Sequence, residues 1–142
     1  MDLFRVCETD ITPSATVKNL GVTFDEHLKM ERHVNEICSA GYYHLSNIGA
    51  IRNSLDKASA EKLLHAFVTS KLDFCNALLA FLPAGLIAKL QRLQNAAARL
   101  VSRTAKSEHV TSVQRELHWL PVRQRIQYTR QCLHGSALHC NA

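Results

Sequence analysis

The sequence predicts a mainly α fold, a helical bundle of about five helices preceded by a short two-stranded β segment, and three observations lead there. Apolar residues recur every three to four positions over most of residues 26–142. The first 25 residues instead carry two runs rich in β-branched and aromatic side chains, "LFRVCE" and "TVKNLGVTF", separated by the loop-forming stretch "TDITPS". Only five glycines and three prolines are spread over 142 residues, so few positions interrupt a long helix.

The elements follow in order. The two β-like runs read as two strands, a hairpin or the remnant of a sheet. From about Glu26 to Asn53, Val34, Ile37, Cys38, Leu45 and Ile48 share a helical face that Leu55 extends, with Gly41 and Gly49 as weak points. Asp56 is placed to cap a second helix, because its carboxylate accepts from the free amides of the next turn. Leu63, Leu64, Phe67, Cys75, Leu78 and Leu79 supply that helix's core face, and Pro83 ends it.

A third helix, about residues 84–103, has two characters. At ~100° per residue, Leu86, Leu90, Leu93, Ala97, Leu100 and Val101 gather on one side, and Lys89, Arg92, Arg99 and Arg103 on another. After the polar linker "TAKSEH", Thr111 and Gln114 have the T-x-x-Q spacing of a capping box and open a short fourth helix. Leu120 is pushed from helical geometry by Pro121, whereas Pro121 suits the first position of a fifth helix, about residues 121–133. There is no internal repeat of constant period.

Composition narrows the class. With 46% hydrophobic and 20% charged residues the chain is globular rather than disordered. The longest apolar stretch, "ALLAFLPAGLIA", is broken by Pro83 and Gly85 and falls short of the ~20 residues that cross a bilayer. "MDLFRVCETD" lacks the basic start and apolar run of a signal peptide. Cysteines at 7, 38, 75, 132 and 140 are odd in number and scattered, unlike a secreted disulfide framework. An intracellular location, nuclear or cytoplasmic, is expected. Residues 1–83 hold 8 basic and 10 acidic side chains, whereas residues 84–142 hold 9 basic and 2 acidic. Such a basic half points to a polyanion, nucleic acid or an anionic membrane surface, or else to a solvated face.

Four segments, "VKNLGVTFD", "HAFVTSKLDFCNALLAFLP", "LQRLQNAAARLVSR" and "ELHWLPVRQRI", in this order and spacing, resemble the region that follows the catalytic palm in reverse transcriptases of non-LTR (LINE, CR1/L2-like) retrotransposons. The resemblance spans roughly residues 15–134. It implies that residues 1–25 are the remnant of palm strands, with Leu20 and Gly21 near a primer grip. Residues 26–142 are then a helical, thumb-like domain that closes over a primer–template duplex. Lys89, Arg92, Arg99, Arg103, Arg123 and Arg125 would meet the sugar–phosphate backbone, which positions a duplex without reading its sequence. The implied partners are an RNA/DNA primer–template duplex and the remainder of a reverse transcriptase, with no membrane and no cofactor.

One departure carries weight. Template-directed synthesis needs metal ions held by carboxylates, which this family supplies partly through an aromatic-x-Asp-Asp motif, and the chain has no Asp-Asp pair. The expectation is a non-catalytic C-terminal fragment with binding potential. The alternative is a helical protein-interaction module without nucleic-acid binding.

Other constellations carry weaker chemistry. Cys132, His134, His139 and Cys140 are zinc-type ligands whose spacing matches no finger, and incidental residues are the expectation. Asp25, His27 and His33 read as surface residues. Cys75 reads as a small core hydrophobe. Trp119, beside His118, reads as a plug at a helix junction rather than a base-stacking platform. "NAAA" (95–98) permits close approach of a helix or duplex, or simply favours helix.

Overall fold

The computed structural model describes residues 4–6, 8–74 and 76–139. The chain is mainly α, with its β structure confined to the N-terminus. That β structure is two hairpins. β1 (Phe4–Val6) pairs antiparallel with β2 (Thr9–Ile11), and β3 (Thr16–Asn19) pairs antiparallel with β4 (Val22–Asp25) in a separate sheet. The second run folds on itself because it contains its own turn. Leu20 and Gly21 connect the paired residues Asn19 and Val22 with φ of 49° and 82°, the two-residue turn with both φ positive that suits the twist of flanking strands.

Helix α1 (Glu31–Ile51) starts five residues later than the periodicity predicts. The carboxylate of Asp25 accepts the backbone N–H of His27 (3.1 Å) and Lys29 (2.8 Å), which holds the chain in a turn. Leu28 and Met30 take positive φ there. Val34, Ile37, Leu45 and Ile48 form the buried face as expected. Gly41 is a packing contact rather than a weak point, since a Cβ at that position would lie 2.5 Å from Cδ2 of Leu93. β4 docks on α1 through buried Val22 and Thr23. The Thr23 hydroxyl donates to Glu36 (2.7 Å) and its backbone N–H donates to Nδ1 of His33 (3.4 Å). His33, expected at the surface, is therefore only 3% exposed: the hairpin covers it.

The second expected helix is interrupted. α2 (Lys57–Leu64) continues through a π turn (His65–Thr69) into α3 (Ser70–Asp73), and the rod stops at Phe74, where ψ is 124°. A 3-10 turn, Asn76–Phe81, follows. The extra residue per turn in the π segment rotates the register. Val68 and Leu72 enter the core, and Phe67 is left 43% exposed. Leu78, beyond the break, is also exposed. Cys75 lies outside the described residues. Asp56 stands at the N-cap of α2, but its carboxylate makes no capping hydrogen bond to the helix amides; it is held below the usual range chiefly by the Ser59 hydroxyl.

α4 (Ala84–Ser102) packs along α1, α5 (Val110–Glu116) lies against α4, and α6 (Val122–His139) packs on the 3-10 turn and on α4. With α2 and α3 counted as one rod, the described residues form a bundle of five helices. Leu64, Leu72, Leu79, Leu90 and Leu93 are the largest fully buried aliphatic side chains. The predicted capping box does not form. α5 begins one residue before Thr111, and Gln114 is drawn inward. The "HWLPV" corner is a helix-terminating motif: the N–H of His118 donates to Arg115 O (3.1 Å) and that of Trp119 to Gln114 O (2.8 Å), with His118 at φ 55°. Trp119 packs against the core beside this corner, and the N–H of Arg125 donates to Pro121 O (3.0 Å) at the start of α6. Among the described residues no helix is long and apolar enough to cross a membrane.

Candidate nucleic-acid interface

The polar side chains of α4 divide into two sets with different surroundings. Gln91, Gln94 and Asn95 turn toward α5 and the 117–122 corner. Gln94 is fully buried, and its amide donates to Leu120 O (2.8 Å) while its carbonyl accepts from Gln91 (3.0 Å). Asn95 Oδ1 accepts from both Gln91 and Gln114, each at 2.8 Å, and Gln91 Oε1 accepts the backbone N–H of Val122 at 2.8 Å. These bonds tie α4, α5 and the start of α6 into one unit. Uncharged amides do this at low desolvation cost because each has found a partner. Sequence reasoning missed them. The signal was present, since amides at i, i+3 and i+4 border the leucine stripe.

The cations take the other side. Lys89, Arg92, Arg99 and Arg103 lie within about 80° of one another around the helix at ~100° per residue. Their partners are neutral. Lys89 Nζ donates to Asn35 Oδ1 on α1 (3.0 Å), and Arg92 Nε to Ala88 O (3.3 Å). Arg99 Nη2 reaches Glu108 O (3.5 Å), while its Nε is buried without a partner. Arg103 ends α4 at φ 57° and donates to Arg52 O (3.1 Å). Among the described residues no carboxylate pairs with these four, and neutral acceptors hold them in place. Burial pushes the Cys38 thiol up, and Lys89 and Arg92 pull it down, which places both cations beside α1.

The two cations predicted on α6 differ from each other. Arg123 is exposed, with no acidic partner among the described residues. Arg125 makes an ion pair with Asp73 (2.6 Å) and donates from Nε to Leu120 O (3.2 Å), so its charge is neutralised within the bundle. It joins α6 to α3 instead of facing outward. Leu20 is 85% exposed at the tip of the second hairpin, and Gly21 beside it faces the ring of Phe74 at 3.5 Å from where a Cβ would stand. The second hairpin and α4 each pack on α1.

A buried cation supports the end of the stripe. Arg52, which the sequence reading passed over, is 7% exposed and gives all its hydrogen bonds to backbone carbonyls: Nε to Leu100 (2.8 Å), Nη1 to Leu55 (2.8 Å) and Nη2 to Val101 (2.6 Å). Two of those acceptors are orphan carbonyls of the last turn of α4, where a positive charge also complements the helix dipole.

Ala97 and Ala98 of "NAAA" are buried in the core, so these small side chains serve helix packing. Cys132 is a free, exposed thiol on α6, Cys140 lies outside the described residues, and no group of three or more metal-type ligands occurs among the described residues. No family model, curated protein or solved structure matches the chain.

Proposed function

We propose that the chain is a thumb-like helical module of a non-LTR retrotransposon reverse transcriptase, without polymerase chemistry of its own, that holds an RNA/DNA primer–template duplex through its phosphates. One observation carries the reading: four cations with only neutral partners among the described residues run for roughly 20 Å along α4, at 1.5 Å per residue. A row of fixed positive charge of that length fits a phosphate backbone and discriminates little between sequences. Arg123 is exposed on α6, outside this row, and Arg125 is left out because Asp73 neutralises it. The order of the four sequence motifs adds the family.

The test is a salt titration of hybrid binding. About four phosphate contacts give a slope of log affinity against log salt of roughly −3 to −4. Replacing Arg92, Arg99 and Arg103 with Gln should flatten the slope by about 2 to 3 units and leave the helix intact, since Gln is a good helix former. Unchanged affinity and slope in that variant would reduce the stripe to a solvated surface.

A second reading has its own observation. Leu28, Leu78 and Phe81 are exposed around a depression of about 750 Å³ that Lys89 and Arg92 also line. An apolar groove of this kind suits a protein segment. Binding there would be insensitive to salt.

A further inference from the structure

In the depression between the 27–31 turn, the 3-10 turn and the start of α4, the backbone holds large apolar side chains out of the core. Leu28 is 68% exposed and Phe81 84%. The turn itself puts Leu28 there. Its N–H donates to the backbone carbonyl of Asp25 (3.0 Å), the Asp25 carboxylate accepts the N–H of Lys29 (2.8 Å), and Leu28 is fixed at φ 53°, a left-handed conformation that a leucine adopts at a cost. Phe81 is steadied by the Arg130 guanidinium, 5.7 Å from its ring centroid. Both side chains are positioned before a partner arrives, so less ordering is lost on binding. Leu82 and Leu86 line the same depression, and Gly85 leaves its wall bare: nothing lies within 4 Å of where a Cβ would stand.

The charge around these side chains has one dominant sign. Lys29, Lys89 and Arg92 line the depression against a single carboxylate, Glu31. Lys89 and Arg92 have neutral partners, and no acid pairs with Lys29 among the described residues. The first turn of α4 opens here without a side-chain cap, so the helix dipole adds to the positive sign. Leu86, Lys89 and Arg92 follow one another at about 4.5 Å along the helix axis. The apolar end of the depression therefore grades into a cationic end.

We infer that this depression docks an acidic amphipathic helix of another protein. The apolar stripe of that helix covers Leu28, Leu78 and Phe81, and carboxylates flanking the stripe face Lys29, Lys89 and Arg92. The walls are a turn and helical segments without a strand edge, so the partner satisfies its own backbone, as a helix does. Apolar contact supplies most of the affinity, and the charges select the partner. The inference rests on the second reading of this groove and adds to it the shape and sign of the occupant.

The experiment titrates the full chain, by calorimetry and fluorescence anisotropy, with three peptides. The first has about 16 residues, with leucine at i, i+3, i+4 and i+7 and glutamate at the flanking positions. The second carries lysine in place of glutamate, and the third is a scrambled version of the first. Expected is one site per chain for the acidic peptide, at least about tenfold tighter than for either control, with an affinity that changes by less than about threefold between about 0.1 and about 0.5 M salt. L28N, in which asparagine keeps the left-handed turn, and F81S should each lose at least about fivefold in affinity while keeping the far-UV spectrum and melting temperature. R99Q/R103Q, changed outside the depression, should bind the acidic peptide as the native chain does, so a failure of the α4 cation row leaves this result standing. Equal binding of the glutamate and lysine peptides, lost in F81S, overturns the acidic partner and leaves the groove a protein site. No saturable binding at millimolar peptide, or unchanged binding by both L28N and F81S, overturns this inference and the second reading together. Self-association of the chain that F81S abolishes assigns the groove to a second copy and likewise overturns the inference.

Discussion

The amides and the cations of α4 stand on one helix within fifteen residues, yet they do opposite things. Gln91, Gln94 and Asn95 are satisfied by named partners on α5 and the following corner, and Gln94 is completely buried. Lys89, Arg92, Arg99 and Arg103 are tethered by neutral oxygens and face away from the leucines. A buried amide costs little once paired, so it fixes geometry. A charge costs far more to bury, so it stays at the rim and keeps its field. Arg52 crosses that division: it is a cation with an interior role, made tolerable by three carbonyl acceptors.

The sharpest way to break the contrast is at Arg52. Arg52→Met strips three carbonyls of their donor and should cost about 3 kcal/mol in urea unfolding. A loss under about 1 kcal/mol would show that water replaces the guanidinium and that the cap is dispensable. Next comes the amide network. Gln94→Leu keeps the volume approximately but removes two bonds, leaving Leu120 O with Arg125 alone and the Gln91 amide with Asn95 alone, with an expected loss of about 1 kcal/mol. The triple Gln change on the cation side should move stability by less than about 1 kcal/mol while altering the salt slope. Equal destabilisation from the two sides would erase the distinction.

Smaller effects come from the corner and from titration. His118 holds φ 55°, a conformation that a residue with a Cβ adopts at a cost, so His118→Gly should raise stability by about 0.5 to 1 kcal/mol. A loss instead would mean that the imidazole has a role at the corner beyond the turn. His33 has its pKa lowered in the folded chain by burial, so the unfolded chain takes up the proton more readily. Stability should therefore fall as pH drops below the ordinary value of 6.5 toward the folded value. His33→Gln retains an acceptor for the Thr23 N–H and cannot titrate. A melting temperature that depends on pH between 7 and 5 equally in both proteins would rule out His33 as the cause.

Much of the helical core was legible because it repeats. Val34, Ile37, Leu45 and Ile48, and then Leu86, Leu90, Leu93 and Ala97, are buried where their spacing puts them. Elements lost legibility where one local bond changed the register. The Asp25 carboxylate delayed α1, and the π turn at 65–69 turned Phe67 outward and Val68 inward. The hairpin turn at Leu20–Gly21 was available in the glycine but was masked by the apolar run around it.

The sequence by itself determined that the chain forms amphipathic helices behind a short β region, and that its positive charge gathers in residues 84–142 on one side of a helix. Periodicity and charge order are properties of neighbouring residues, and they survive any arrangement of the helices. Only the tertiary structure decided which polar residues are interior. Gln94, Arg52 and His33 are buried because carbonyls, amides and a backbone N–H from segments 10 to 49 residues away meet them. It decided also that Arg125 is neutralised, since Asp73 reaches it across 52 residues of sequence. A charged or polar side chain has no fixed place until the groups that satisfy it are in position, and those groups arrive only when the helices pack.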